Sequence, residues 1–259
     1  MLNVGFFPMD LDILFTDAPE DQLHEAFARH GYTGVEQIHF QVNTLYIRSG
    51  DHHILLDPNA GLDYKKREPD RLLEKLSELE LTPADIDTVI ISHFHPDHYT
   101  GCVDADCNPL FSNAEYVVER IEWESWDDPN HPEAYFAEAY QHLAVPIRDR
   151  FRLLDGDQQI IDGLEAIFTP GHSAGHMTIL IDNEVIAVAD VFINMIHLEH
   201  PEWMAVFERD RDALSSSRRK VLDMILERDL IVYGEHYPWP GLGRLRKIDE
   251  RAEWVPLGE

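Results

Sequence analysis

Four side chains able to ligate a metal fall within six consecutive positions, His93-Phe94-His95-Pro96-Asp97-His98. They directly follow the apolar, β-branched run Thr88-Val89-Ile90-Ile91-Ser92. A continuous run of that kind reads as a strand buried on both faces, at the centre of a sheet covered by helices. Such a strand holds its C-terminal end rigidly, where open α/β sheets place their ligands. In extended backbone His93 and His95 project to one side, as two imidazoles on a single ion require. Pro96 then turns the chain, so Asp97 and His98 point elsewhere and suit a second, adjacent ion. Imidazole and carboxylate donors together fit zinc, and also manganese, iron or cobalt. One histidine in a loop is ordinarily just a polar residue; four ligand-type groups packed this tightly point to metal.

The rest of the chain repeats the layout. Short strands are expected at Asn3–Phe6, Thr44–Ser49, His53–Asp57, Glu115–Glu119, Gln159–Ile161, Glu165–Thr169, His176–Asp182, Val185–Ala189 and Leu230–Tyr233. Helices are expected at Glu20–His30, Asp70–Leu79, Pro132–Leu143 and Ala213–Arg228, with an irregular segment after Phe6. Leu72, Leu73, Leu76 and Leu79 recur at helical spacing, and Asp182-Asn183 reads as a tight hairpin turn. Strands alternating with helices in both halves predict a layered α/β architecture. No repeat or flexible linker divides the chain, so residues 1–259 are expected to form one domain.

More ligand-type residues stand at later strand ends. Thr169-Pro170-Gly171-His172-Ser173-Ala174-Gly175-His176 is a glycine-punctuated loop with a histidine at each end. Ala187-Val188-Ala189-Asp190 ends an apolar strand on a carboxylate, and Val232-Tyr233-Gly234-Glu235-His236 ends another on a histidine. Each alone is weak, since an Asp at a strand end is usually a turn residue; their recurrence is what gives them weight.

Charge narrows the partners. Lys+Arg number 21 against 49 Asp+Glu, a formal net charge of −28. Such a surface repels phosphate backbones, so no nucleic acid is expected. The densest basic run, Arg218-Arg219-Lys220, reads as the solvated face of a helix. No stretch is apolar enough to span a membrane. The first residues lack a cationic start and a small-residue cleavage site, so a cytoplasmic protein is expected. Cys102 and Cys107 read as reduced thiols.

The string His-x-His-x-Asp-His, then Gly-His, then a strand-terminal Asp and a final His resembles the metallo-β-lactamase-fold hydrolases. The likeness covers nearly the whole chain, with Val42–Ile47 and Leu55-Leu56-Asp57 matching the family's opening hairpin. It implies a four-layer αββα sandwich with two divalent cations, zinc first among the candidates, at one edge. His93, His95 and His172 would hold the first; Asp97, His98 and His236 the second; Asp190 would bridge them. Asp57 would support a ligand imidazole, and His176 would be a buried, hydrogen-bonded support.

Within the superfamily the chain is most similar to the quorum-quenching lactonases and methyl-parathion-hydrolase-like enzymes. Three passages carry that likeness: the lead-in from Phe6 through Asp17-Ala18-Pro19-Glu20 to Val42-Asn43, His200-Pro201-Glu202-Trp203, and His236-Tyr237-Pro238-Trp239-Pro240-Gly241-Leu242-Gly243. The branch implies that residues 6–42 shape the pocket and a homodimer contact. Departures are Pro58-Asn59 where the family has Thr-Gly, Tyr99-Thr100-Gly101 after His98, and no tyrosine in Val191–Leu198. His197 stands where that tyrosine could act, but reads as an internally bonded loop histidine.

Two such cations make water a nucleophile near neutral pH, polarise a carbonyl or phosphoryl oxygen and stabilise the leaving oxygen. The expectation is hydrolysis by a bridging hydroxide of a small-molecule ester, most simply a lactone or carboxyl ester with phosphotriesterase side activity, with Asp97 and Asp190 catalytic. Phe6, Phe7, Phe15, Phe94, Phe192, Trp203 and Trp239 are candidate pocket walls, although most rings are expected to be core. The alternatives are a glutathione-thioester hydrolase, for which Arg244, Arg246 and Lys247 would serve the carboxylates, and a persulfide dioxygenase with one iron.

Overall fold

The computed structural model describes residues 1–60, 65, 69–248 and 251–258. Two mixed sheets carry the fold. The first holds β1 (Leu2–Asp10), β2 (Gln37–Ser49), β3 (His52–Leu56), β4 (Thr88–Ile90), β5 (Glu115–Glu119) and β6 (Phe151–Leu154), side by side in that order. The second holds β7 (Gln158–Ile161), β8 (Leu164–Phe168), β9 (Met177–Ile181), β10 (Val185–Ala187), β11 (Ile231–Tyr233), β12 (Leu242–Ile248) and β13 (Arg251–Pro256), again as neighbours in sequence. β3 through β6 run parallel; β1–β2–β3 are antiparallel. In the second sheet only β10 and β11 pair in parallel.

Side-chain alternation explains why the sheets stack. Ile54 and Leu56 of β3, Ile90 of β4 and Val117 of β5 point inward to meet Ala166, Ile179, Ala187 and Tyr233 of the second sheet. Their neighbours Leu55, Val89, Tyr116 and Val118 point outward onto the helices Pro69–Glu78 and Ala134–Leu143. Ile167, Leu180, Ile186 and Val232 likewise face Leu214, Val221 and Ile225 of the helix Arg211–Arg228. The result is helix, sheet, sheet, helix: the expected αββα sandwich. No described helix is long and apolar enough to cross a membrane.

Several expectations need correction. The segment after Phe6 is not irregular: β1 continues to Asp10, pairing Pro8 with His39. Proline is accommodated because β1 lies at the sheet edge. β6, β12 and β13 were outside the expected strands. Arg218 is not on a solvated face but fully buried, while Arg219 is exposed. Cys102 and Cys107 are both free, as expected.

Candidate metal centre

Every expected ligand leaves the C-terminal end of a strand or the loop that follows it. His93 and His95 come after β4, and Pro96 opens the one-turn helix Pro96–Tyr99 that carries Asp97 and His98. His172 lies between β8 and β9, Asp190 follows β10, and His236 follows β11. Asp57 and Ala189 hold left-handed backbone, at φ 51° and 43°. Such outliers persist only where the surroundings over-determine them.

The side chains converge in two buried groups: His93, His95, His172 and Asp190, and Asp97, His98 and His236. In the first, His95 Nδ1 lies 3.0 Å from His93 Nε2 and 2.8 Å from His172 Nε2. In the second, His236 Nε2 lies 3.4 Å from His98 Nε2 and 3.7 Å from Asp97 Oδ2. Asp190 stands between them, with Oδ2 3.2 Å from His172 Nε2 and Oδ1 3.2 Å from His236 Nε2.

The outer ring nitrogens show what the inner ones must be. His172 Nδ1 meets Glu208 Oε2 at 2.9 Å, and His236 Nδ1 meets the Gln41 carbonyl at 2.7 Å. His98 Nδ1 meets Asp57 Oδ2 at 3.0 Å and Glu235 Oε2 at 2.9 Å, while His95 Nε2 lies 3.5 Å from Glu133 Oε1. The Asp57, Glu133 and Glu208 carboxylates and the Gln41 carbonyl only accept, so each ring spends its N–H outward and turns a lone pair inward. Asp190 Oδ1 accordingly has no hydrogen-bond partner. Lone pairs and carboxylate oxygens facing one another at 2.8–3.9 Å repel unless positive charge sits among them. The donor set therefore fits divalent cations.

The electrostatics agree. Burial, then the neighbouring His98 and His95, hold His93 well below the ordinary imidazole range, leaving it neutral as a ligand must be. Burial opposes a charge on His172, yet Asp190 and Glu208 outweigh it and lift the ring to about 10: the spot favours positive charge, a proton on the inner nitrogen or a cation that replaces it and takes up the lone pair. Burial pushes Glu235 well above the usual carboxylate range.

The remaining sequence candidates are placed around this cluster. Asp57 accepts from Ser92 N and Ser92 Oγ, both at 2.7 Å, besides meeting His98. His176 lies outside both groups; its Nε2 accepts from the Asp190 amide at 3.1 Å and its Nδ1 meets Thr169 Oγ1 at 2.9 Å. His197 is buried, stacked on Phe15, with Nε2 on the Leu14 carbonyl. Asn59 donates to the Asp97 carbonyl, so the unusual Pro58-Asn59 pair braces the ligand turn. Arg244 and Arg246 pair with Asp229 instead of reaching the site.

Four carboxylates were outside the expected site, and only Glu235, next to His236, had any signal. Besides Glu133, Glu208 and Glu235, Glu122 is fully buried and accepts from Phe94 N, Trp126 Nε1, Ser173 Oγ and Gly175 N. It thereby joins the His93–His95 loop to the His172 loop.

A cavity of about 290 Å³ opens onto His95, Asp97 and Asp190. Its walls are Phe7, Met9, Ile13, Phe40, Ile193 and Phe207 with Phe136 and Val206, and no lysine or arginine lines it among the described residues. Of the seven aromatics expected as walls only Phe7 lines it; Phe15, Phe94, Phe192 and Trp203 are core, and Phe6 and Trp239 are exposed. Phe40 also stacks on His236, centroids 3.9 Å apart.

A two-sheet sandwich with His and Asp side chains gathered at its strand ends defines a class. Residues 38–236 match the metallo-beta-lactamase superfamily, and the chain belongs to it. Among curated proteins it is 28% identical over 174 residues to an N-acyl homoserine lactonase of Bacillus cereus and 30% identical over 175 residues to one of Bacillus thuringiensis. Each alignment covers 66% of this chain and 64% of the relative. Among solved structures, AidC, a dizinc quorum-quenching lactonase in complex with a product, superposes with a TM-score of 0.88 at 24% identity, over 99% of this chain and 93% of that one. The hydrolase AbOPH gives 0.87 at 23% identity, over 100% and 93%. At those identities the likeness fixes the fold.

Proposed function

We propose that this chain is a metal-dependent hydrolase of a neutral small-molecule ester, a lactone or carboxyl ester, working with two divalent cations. His93, His95 and His172 would hold one cation, Asp97, His98 and His236 the other, with Asp190 shared, and zinc is the first candidate metal. The observation that carries this reading is the set of inward-facing lone pairs, in two groups sharing Asp190, at the floor of an apolar cavity. When bound, such a pair supplies Lewis acidity toward the ester carbonyl and makes water nucleophilic at neutral pH.

The chain's own residues do the rest. The apolar walls take the acyl arm and exclude water from the floor. Of the two carboxylates at that floor, Asp97 would use its oxygen not engaged with the cation to take the proton of the attacking water and pass it to the leaving oxygen, while Asp190, shared between the cations, would hold them at their spacing. Phe7, Met9, Ile13 and Phe40 line the cavity, which supports a part for residues 6–42 as a pocket wall within a single domain. The relatives of 28–30% identity bearing the name N-acyl homoserine lactonase support a lactone. That no lysine or arginine lines the cavity among the described residues speaks against a glutathione thioester, whose carboxylates would want basic partners.

Elemental analysis of the purified protein, followed by assay on lactones, aryl esters, thioesters and phosphotriesters, tests the proposal. Two equivalents of zinc, manganese or cobalt and preference for a lactone or carboxyl ester are expected. Asp190→Ala should release metal and lower turnover at least about 10³-fold, as removal of a central catalytic group does. Full activity in that variant, or one equivalent of iron with oxygen consumption, refutes the assignment.

A further inference from the structure

Among the described residues, Arg218 is the one lysine or arginine that is fully buried. It sits midway along the helix Arg211–Arg228, yet its guanidinium reaches three other segments. Nε donates to the Val191 carbonyl at 2.8 Å, Nη1 to Pro201 O at 3.0 Å and to Trp203 O, and Nη2 faces Glu208 Oε1 at 3.5 Å. Its carbon lies 5.6 Å from the centroid of Phe192. Glu208 is equally hidden, both side chains being 1% exposed, and its other oxygen meets His172 Nδ1 at 2.9 Å.

Burying such a pair is costly, and apolar replacements of similar volume often serve stability as well or better. The ends of the chain of contacts show what the charges do here. One end is Val191, the residue after Asp190; the other is His172. A carboxylate on the outer nitrogen of a ligand imidazole fixes its tautomer and raises its basicity. The Arg218 Nε–H on the Val191 carbonyl, with the rest of the guanidinium held by Pro201 O and Trp203 O, fixes the turn that aims Asp190. Both ligands belong to the first group, and neither stands on a regular strand or a long helix that would hold it otherwise.

We propose that Arg218 and Glu208 are positioning residues for the first cation, with Glu208 orienting His172 and Arg218 anchoring both Glu208 and the Asp190 turn. The proposal rests on the metal reading above and adds two residues to it. No part of the reaction passes through them; they set how well His172 and Asp190 bind.

Chelated full-length protein titrated with Co²⁺, followed by its visible absorption and by competition with a chelator, tests this directly. Wild type is expected to take up two equivalents. Glu208→Ala should weaken one of them about 10–100-fold while leaving the other nearly unchanged. Glu208→Gln, whose amide oxygen still accepts from His172 Nδ1, should recover most of that loss. Arg218→Met should weaken the same equivalent. Urea unfolding of the metal-free proteins is measured in parallel.

A wild-type protein that fails to take up two equivalents overturns the metal reading itself. Two normal equivalents in wild type with unchanged uptake in Glu208→Ala overturn only the positioning role. So does equal weakening of both equivalents in step with lost stability. If Arg218→Met fails to fold, the contrast between the alanine and glutamine variants decides alone.

Discussion

Lengthening the acyl arm of the substrate probes the cavity without altering the protein. The walls at Phe7, Met9, Ile13, Phe40, Ile193 and Phe207 offer apolar surface and, among the described residues, no lysine or arginine. Each methylene moved from water into such a site is worth about 0.8 kcal/mol, or about fourfold in kcat/KM when the contact persists in the transition state. Going from a butanoyl to a hexanoyl ester should therefore raise kcat/KM about 15-fold. The gain should stop once the arm has filled the roughly 290 Å³ available. A carboxylate at the end of a hexanoyl-length arm reverses the effect. An unpaired charge taken into an apolar site costs several kcal/mol, so that ester should fall at least about 100-fold below its neutral counterpart. The assay is steady-state kinetics on aryl esters sharing one leaving group, so only the arm varies. Flat dependence on arm length, or a charged arm hydrolysed as fast as a neutral one, refutes the reasoning. The second outcome would restore the thioester alternative.

What the sequence made legible and what it hid divide along physical lines. The strand ends could be read because two signals coincide there: apolar runs such as Thr88–Ser92 announce a buried strand, and histidines right after them have little other reason to cluster. The supporting carboxylates could not. In a chain with 49 Asp+Glu, a buried glutamate such as Glu122 or Glu208 looks like any solvated one until its donors are in place. Glu235 had a faint signal, standing beside His236 at a strand end. Arg218 had a better one that the dense charge of Arg218-Arg219-Lys220 obscured. Leu214, Arg218, Val221 and Ile225 share one helical face, and the other three are buried apolar residues. A cation on the apolar stripe of a helix asks for a buried partner. β12 was missed because Arg244, Arg246 and Lys247 mask its alternation, although Gly243 leaves the room Trp254 of β13 occupies. Cavity walls were misread for a related reason. Composition identifies large apolar side chains, but only the fold decides which of them, Phe7 and not Phe94, lines a void.

Two further predictions concern parts that hold the site from a distance. Gly171 has φ +135°, and an added Cβ would land on the backbone of Leu214. Gly171→Ala should displace the His172 loop, weaken metal uptake and lower the unfolding midpoint by the equivalent of about 2 kcal/mol or more; wild-type metal uptake would refute this. The other prediction is a pH dependence. The Glu199 carboxylate, 1% exposed, accepts from Arg29 Nη2 at 3.0 Å, meets His30 Nε2 at 2.6 Å and takes the Trp254 amide at 3.1 Å. It thus clasps the helix Glu20–Arg29 to β13. Burial works against its charge, but His30 and Arg29 prevail and hold it below the usual carboxylate range. A carboxylate whose folded value is depressed contributes stability that is fully present above its unfolded value, near 4.5. That contribution drains away as pH falls through the lower, folded value. Glu199→Gln keeps an acceptor and loses the charge, so at about pH 6 it should cost about 1–3 kcal/mol, the margin of charge-assisted over neutral hydrogen bonds. As the wild-type carboxylate protonates below about pH 4.5, the two proteins should converge. Urea unfolding of both across that range is the measurement, and a gap that stays constant down to about pH 3.5 would mean that packing, and not charge, makes Glu199 matter.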